Sequence, residues 1–369
     1  MKNNKIWLLI CCSLMCTGCW DQHLMKNATL VQTVTYDLTS KKRLRVGAAT
    51  PVLNSADSLQ NMTLVAEANT PGEARILLNR KASGLLDSSK NKLLLLGEAY
   101  AVHDILPFLD IHYRNPRNAL DARLAVVKGE ALPLIQLRSK SESNVSRYLL
   151  NLIQSAEESL LIPKEDIQAI ASVIMDPGED VTLPYIELES SSQLASVKGI
   201  ALFDKRKYTG FYLNDTQSPL LLLLKGGKPR QNSFSFNFGS PKEEFPQRQI
   251  VSFLITKSNR KLKLTVDEHK QIHVALHLKL VLRVIEYPNG DVEADKDKLL
   301  REYKAYFTKL TGEVIHQLQR ANCDAFGIGR MLMAYHPDVW RGLDKEQYFR
   351  QVKFSPNIVI DKIKSGIEH

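Results

Sequence analysis

Cysteine is scarce in the body of this 369-residue chain: Cys11, Cys12, Cys16 and Cys19 fall within nine residues, and only Cys323 stands elsewhere. That excludes a disulfide framework, and a chain of this length buries enough surface to fold without one. No G-x-S-x-G, H-E-x-x-H or G-x-x-x-x-G-K-[ST] motif occurs, so the usual serine-hydrolase, zinc-protease and phosphate-loop signatures are missing. His273 and His277 are four apart, but they sit in an alternating stretch. On a strand that spacing separates them by about 13 Å, too far to share one zinc. F-G-I-G-R (326–330) follows a helical stretch and reads as a helix C-cap and tight turn. K-G-G-K-P (225–229) reads as a turn between strands, and Cys323, among apolar helix positions, as a core residue. No residue supports an enzyme, and no metal or other non-covalent cofactor is expected.

A basic stripe interleaved with aromatics is also absent, so nucleic-acid binding is unsupported. The formal charge is +9, but it is dispersed among acids, as in E-A-D-K-D-K-L-L-R-E-Y-K (293–304), and reads as a solvated surface. A mild preference for an anionic membrane or wall surface stays open. Internal repeats and low-complexity blocks are missing too.

The N-terminus does carry a signal. Lys2 and Lys5 precede an apolar run at residues 6–16, broken only by Ser13, and Thr17 and Gly18 stand before Cys19. This is the layout of an export leader. As a helix the run spans roughly 16 Å, about half a bilayer core, so it makes a poor permanent span. A small residue before cysteine resembles the bacterial lipobox, with Cys16 where leucine is usual. Residues 1–18 are therefore expected to be a signal peptide cleaved after Gly18, with a diacylglycerol and an N-acyl lipid on Cys19. Their loss takes Lys2 and Lys5 and lowers the charge from +9 to +7. A metal or redox use of these cysteines needs partners, and Cys323 alone does not supply them.

The rest divides into two grammars. Residues 31–38 and 43–53 alternate as a strand pair across a T-S-K-K turn. Thr70, Pro71 and Glu73 predict a capped helix ending near Gly84. A buried strand is expected at 92–99, a helix at 103–113 and a strand at 122–129, with parallel pairing between those two strands. Amphipathic helices are expected at 145–158 and 163–175. E-L-E-S-S-S-Q-L-A-S-V-K-G (187–199), after the Pro177-Gly178 break, reads as a linker. Beyond it come a hairpin closed by D-K-R-K and strands at 233–238, 250–256 and 261–266. A long half-buried antiparallel strand over 271–287 has every even position from 272 to 284 apolar. An amphipathic helix at 295–321 and a last strand at 357–363 follow. The expectation is α+β: an α/β-like N-terminal domain with a mixed sheet (19–190), then a C-terminal α+β region (196–369) of one or two subdomains.

Several stretches in order resemble the spore germination receptor C-subunit lipoproteins, the Ger(x)C (GerAC-like) family. They are G-C-W-D (18–21), A-N-T-P-G-E-A (68–74), H-Y-R-N-P-R (112–117), V-K-G-I-A-L-F-D-K-R-K-Y-T-G-F (197–211), and C-D-A-F-G-I-G-R (323–330) with P-D-V-W after it. One departure is Thr35-Tyr36-Asp37, where the family has Gly-Ile-Asp. The resemblance covers nearly all of the chain. It implies a three-domain mixed fold and a non-catalytic subunit on the outer face of the spore inner membrane, beside integral membrane subunits A and B. Small nutrients trigger that complex; which germinant is sensed, and whether this chain touches it, is left open. The membrane anchor would be Cys19, with Trp20 suited to the interface and Asp21 beside it. Arg114 and Asp324 are candidate contact or buried-pair residues. The rival reading is an extracytoplasmic solute-binding or wall-modifying lipoprotein.

Overall fold

The structure, a computed structural model, describes residues 28–53, 59–137, 144–229, 233–237, 250–288 and 291–365. The leader, Gly18, Cys19, Trp20 and Asp21 lie outside these residues. Along the chain the first half comprises β1 (Ala28–Leu30), β2 (Thr33–Leu38), β3 (Leu44–Leu53), β4 (Leu59–Ala68), α1 (Pro71–Asn79), β5 (Leu85–Asp87), β6 (Leu93–Gly97), α2 (Glu98–Ala101), α3 (Leu106–Arg114), β7 (Arg123–Val127), α4 (Leu132–Ile135), α5 (Val145–Glu158), α6 (Ile167–Ile174) and β8 (Thr182–Glu189). The second half comprises β9 (Leu194–Asp204), β10 (Lys207–Leu213), α7 (Gln217–Leu224), β11 (Ser233–Asn237), β12 (Ile250–Val266), β13 (Ile272–Glu286), α8 (Lys296–Ala321), α9 (Ile328–Tyr335), α10 (Pro337–Gly342), α11 (Tyr348–Gln351) and β14 (Lys353–Ser365). The class is α+β.

An eight-stranded mixed sheet, in the order β10-β9-β8-β7-β6-β2-β3-β4, forms the first layer. Its four central strands are parallel, β2 to β6, β6 to β7 and β7 to β8, and antiparallel hairpins extend both edges. The unbroken Leu93-Leu94-Leu95-Leu96 run follows from burial on both faces. Leu93 and Leu95 enter a core with α4, α5 and the C-terminal elements, while Leu94 and Leu96 face α1, α3 and α6. Thr70 caps α1 by accepting from the Glu73 amide at 3.1 Å, and Glu73 reaches back to the Asn69 amide at 2.8 Å. The helix stops at Asn79 rather than near Gly84.

Two helices begin later than the periodicity suggests, each because an aspartate captures an amide. Asp104 accepts from Leu106 beside Pro107, so the stretch 103–113 is turn and then α3, preceded by the separate short α2. Asp166 accepts from the Ala169 amide and its backbone pairs with that of Arg123, so α6 starts at Ile167 and not at 163.

The stretch 187–199 is not a linker: it is the end of β8, a turn and the start of β9, which complete the first sheet. K-G-G-K-P follows α7 rather than a strand. The sequence does not announce this helix because Leu220 to Leu224 are all buried, and a helix covered all round shows no periodicity.

The second sheet runs β11-β12-β13-β14, antiparallel except for β13 with β14. Residues 250–266 form one strand, not two, with register shifts near Ser252 and Thr256. On one face Val274, Leu276, Leu278, Leu280 and Leu282 are fully buried with Tyr303, Phe307, Val314 and Leu318 of α8. That packing explains the even-position alternation. His273 and His277 lie on the opposite face, where His273 meets Asp267 at 3.0 Å. Cys323 is fully buried, as its apolar neighbours imply, and burial raises its thiol pKa.

Candidate functional site

Two loops far apart in sequence close on each other where the two sheets meet. One is D-P-G-E-D (176–180), between α6 and β8; the other is N-C-D-A-F-G-I-G-R (322–330), from the end of α8 into α9. F-G-I-G-R is thus the start of a helix and not a helix C-cap; Asn322, with left-handed φ of 53°, is the C-cap.

Backbone and side chain interlock across the junction. The Asp180 amide donates to the Asp324 carbonyl at 3.0 Å, and the Asp324 amide donates to Asp180 Oδ2 at 2.7 Å. The Lys205 amide donates to Asp180 Oδ1 at 2.7 Å. The Arg330 amide donates to the Gly178 carbonyl at 2.9 Å, while its guanidinium holds Asp176 at 2.7 Å and Glu179 at 3.0 Å. The approach is close enough to require glycine twice. A Cβ on Gly178 would lie 2.3 Å from the Arg330 nitrogen, and one on Gly329 would lie 2.7 Å from the Gly178 Cα.

Asp324 is the hub, only 1% exposed. Its Oδ1 accepts from the Ile328 amide at 3.0 Å; its Oδ2 accepts from the Gly329 amide at 2.8 Å and the Tyr348 hydroxyl at 2.5 Å. A carboxylate there satisfies orphan amides at the start of α9 and faces the positive end of that helix. Burial pushes its pKa up to about 6, against the pull of the Tyr348 hydroxyl and the two amides. Asp180 is pushed further, to about 7, by burial, with the Asp324 and Asp204 charges adding to it. All four carboxylate oxygens are taken by donors of the fold itself, so the arrangement locks two segments together.

This pair carries a pH signature. Both folded pKa values lie above the ordinary carboxylate value, so the folded state holds extra protons between about pH 4 and pH 7. The resulting stabilisation is complete below about pH 4 and is lost as pH rises through 6 and 7. In thermal melts, the advantage of the unaltered chain over Asp180→Asn should therefore be larger at pH 5 than at pH 8. An advantage independent of pH would contradict the assignment.

A second feature lies on the opposite face of the first sheet. A cleft with about 50 Å³ of room for water is lined by Tyr36, Arg75, Leu78, Ile111, His112 and Asn118, among others. The Tyr36 hydroxyl and His112 Nε2 are 3.3 Å apart. Burial, then the Arg75 charge, lowers His112 to about 4, so it is neutral at physiological pH. Asp37, in the T-Y-D departure, is buried and accepts from the Ala131 and Leu132 amides at 2.7 and 2.9 Å, capping α4. Burial raises its pKa.

Arg114 and Asp324, each a candidate through its own motif, are not brought together. Arg114 ends α3, its side chain 79% exposed and bound to Asp110 at 2.6 Å. Asp324 is inside, held by two backbone amides and the Tyr348 hydroxyl. Nothing in the sequence singles out Asp180, Gly178 or Tyr348; Pro177-Gly178 reads there only as a chain break. Among the described residues no cluster of three or more His, Cys, Asp or Glu side chains could hold a metal ion, and no helix is long and apolar enough to cross a membrane.

A family model described as the spore germination protein N-terminal domain matches residues 21–188, and one described as spore germination B3/GerAC like, C-terminal, matches residues 198–366. The chain is similar to the putative spore germination protein YfkR of Bacillus subtilis (strain 168), 24% identical over 283 residues, covering 70% of this chain and 71% of that protein. It is also similar to spore germination protein KC of the same organism, 21% identical over 387 residues, covering 96% and 92%. The crystal structure of the GerBC protein superimposes with a TM-score of 0.55 at 16% identity, over 89% of this chain and 96% of that one. At that identity the likeness speaks for the fold. D-P-G-E-D lies in the first family match and D-A-F-G-I-G-R in the second, so the interlock joins the two matched regions.

Proposed function

The chain belongs to the spore germination B3/GerAC-like family, and on that premise we propose that it is the lipid-anchored, non-catalytic C subunit of a nutrient-germinant receptor. Residues 1–18 direct export and are removed, Cys19 carries the lipid, and the folded part sits on the outer face of the spore inner membrane. There it acts with integral membrane subunits A and B to trigger germination.

The observation that carries this reading is the extent and order of the family matches. They begin at Asp21, two residues after Cys19, and run nearly to the C-terminus with nine residues (189–197) between them. A match starting there supports treating what precedes Cys19 as a leader. The proposed modules, 19–190 and 196–369, are not beads on a string: β9 and β10 of the second complete the sheet of the first. The second module divides further into that edge hairpin and the unit built by the second sheet with α8.

Acylation confines the chain to the membrane surface and raises its effective concentration for membrane partners. Trp20 and Asp21 would then sit at the interface, and exposed Arg114 is available for contact with A or B. Of the rival lipoprotein reading, a solute binder would have two like lobes, whereas here an eight-stranded mixed sheet adjoins a four-stranded one. The experiment that tests the proposal is deletion of this chain alone, followed by nutrient challenge of the spores.

A further inference from the structure

The solvent face of the second sheet is a field of positive charge assembled from three separate segments. Alternating away from the face that α8 covers are Lys257, Lys261 and Lys263 of β12, Lys279 and Arg283 of β13, and Lys353 and Lys362 of β14. The register sets them in rows. Lys257 and Lys362 flank Val281; Lys261 stands opposite His277; His273 stands beside Lys353. The rows extend about 26 Å along the strands and about 10 Å across three of them.

Little on this face neutralises the charge. Lys279 pairs with Asp361 at 2.8 Å and His273 with Asp267 at 3.0 Å. Among the described residues Lys257, Lys261, Lys263, Arg283, Lys353 and Lys362 have no acidic partner within ion-pair distance, and the Arg283 Nε makes no hydrogen bond. The lysines stand opposite neutral or histidine positions rather than opposite one another, so the charge is spread across the face as one positive patch that an anionic partner would meet.

We propose that this face docks on an anionic phospholipid surface. It is broad and built mainly of lysine point charges, which suit a plane of phosphate headgroups; the aromatic platforms that stack bases are missing from these rows. The choice of lipid over an acidic protein rests on the proposed membrane anchorage. With Cys19 tethered, even weak headgroup contacts would fix which way the folded part faces, leaving the opposite side of the molecule for other subunits.

The test uses the full-length chain carrying Cys19→Ser, which no acyl chain can modify, and vesicles of phosphatidylcholine with or without phosphatidylglycerol. Sedimentation should show binding that requires phosphatidylglycerol and weakens with salt. At about fivefold per cation, Lys257→Gln, Lys261→Gln and Lys263→Gln together should weaken it roughly a hundredfold, with a melting temperature no lower than that of the unaltered chain. The leader is common to both chains and cancels. Should the triple variant fail to fold, Lys353→Gln with Lys362→Gln on β14 should give roughly a 25-fold loss. Equal partition to both vesicle types, or undiminished phosphatidylglycerol binding by the folded variants, would overturn the proposal, as would an acidic protein as the face's true occupant. Because the chain used carries no lipid, such a failure leaves the Cys19 reading untouched.

Discussion

Asp324→Ala should lower stability by about 3–5 kcal/mol, the range for breaking a buried charged network. The substitution leaves the Tyr348 hydroxyl and the Ile328 and Gly329 amides without their acceptor, and each unpaired buried donor costs about 1–3 kcal/mol. It also removes the negative charge from the start of α9. Gly178→Ala should be comparably damaging for a steric reason. The new methyl group would meet the Arg330 nitrogen at 2.3 Å and the Gly329 carbonyl carbon at 2.6 Å, and backbone atoms in an interlocked loop give little. Arg330→Ala serves as the control. Its side chain is 52% exposed, so its ion pairs to Asp176 and Glu179 should be worth about 1 kcal/mol or less. Denaturant melts check the ranking, and Asp324→Ala or Gly178→Ala within about 1 kcal/mol of the unaltered chain would show that the junction does not hold the modules together.

The second large effect concerns attachment. The unaltered chain taken from spore membranes should begin at Cys19, carry the mass of diacylglycerol on its sulfur, and enter the detergent phase on partition. Each buried CH₂ contributes about 0.8 kcal/mol, so two or more acyl chains hold the protein far more firmly than the apolar run at residues 6–16 could. Cys19→Ala should lose the lipid mass and move to the aqueous phase. A Cys19→Ala chain that stays in the detergent phase, or an unaltered chain with unmodified Cys19, would remove the anchor from the account.

Much of the fold was legible because burial imposes a pattern. One-sided burial gives β13 its strict alternation, and two-sided burial gives β6 its run of leucines. The α8 stripe, with Tyr303, Phe307, Val314 and Leu318, follows from packing on a single sheet face. α7 was illegible for the converse reason, being covered on every side. The 187–199 stretch looked like a linker because Glu189, Ser190, Ser191 and Ser192 are a turn composition, yet the turn closes a hairpin inside a continuous sheet.

The site was less readable than the fold. Asp324 stood out through its motif, but its partner Asp180 is 144 residues away, and nothing local in D-P-G-E-D announces a buried carboxylate. The glycines of that loop and of F-G-I-G-R are explained by each other, which only three-dimensional contact reveals. The basic sheet face was missed for a related reason. K-L-K-L in β12 and H-L-K-L in β13 each look like ordinary alternation, and only the register gathers their lysines on one face. Composition reports how much charge a chain has, while strand pairing decides where it gathers.

The most direct measurement of the central claim is nutrient-triggered germination of spores lacking this chain alone, scored nutrient by nutrient against unaltered spores, with the A and B subunits quantified in the same membranes. The account expects loss of the response to at least one nutrient, restored when the chain is supplied in full. Normal germination with every nutrient, at unchanged levels of A and B, would contradict it.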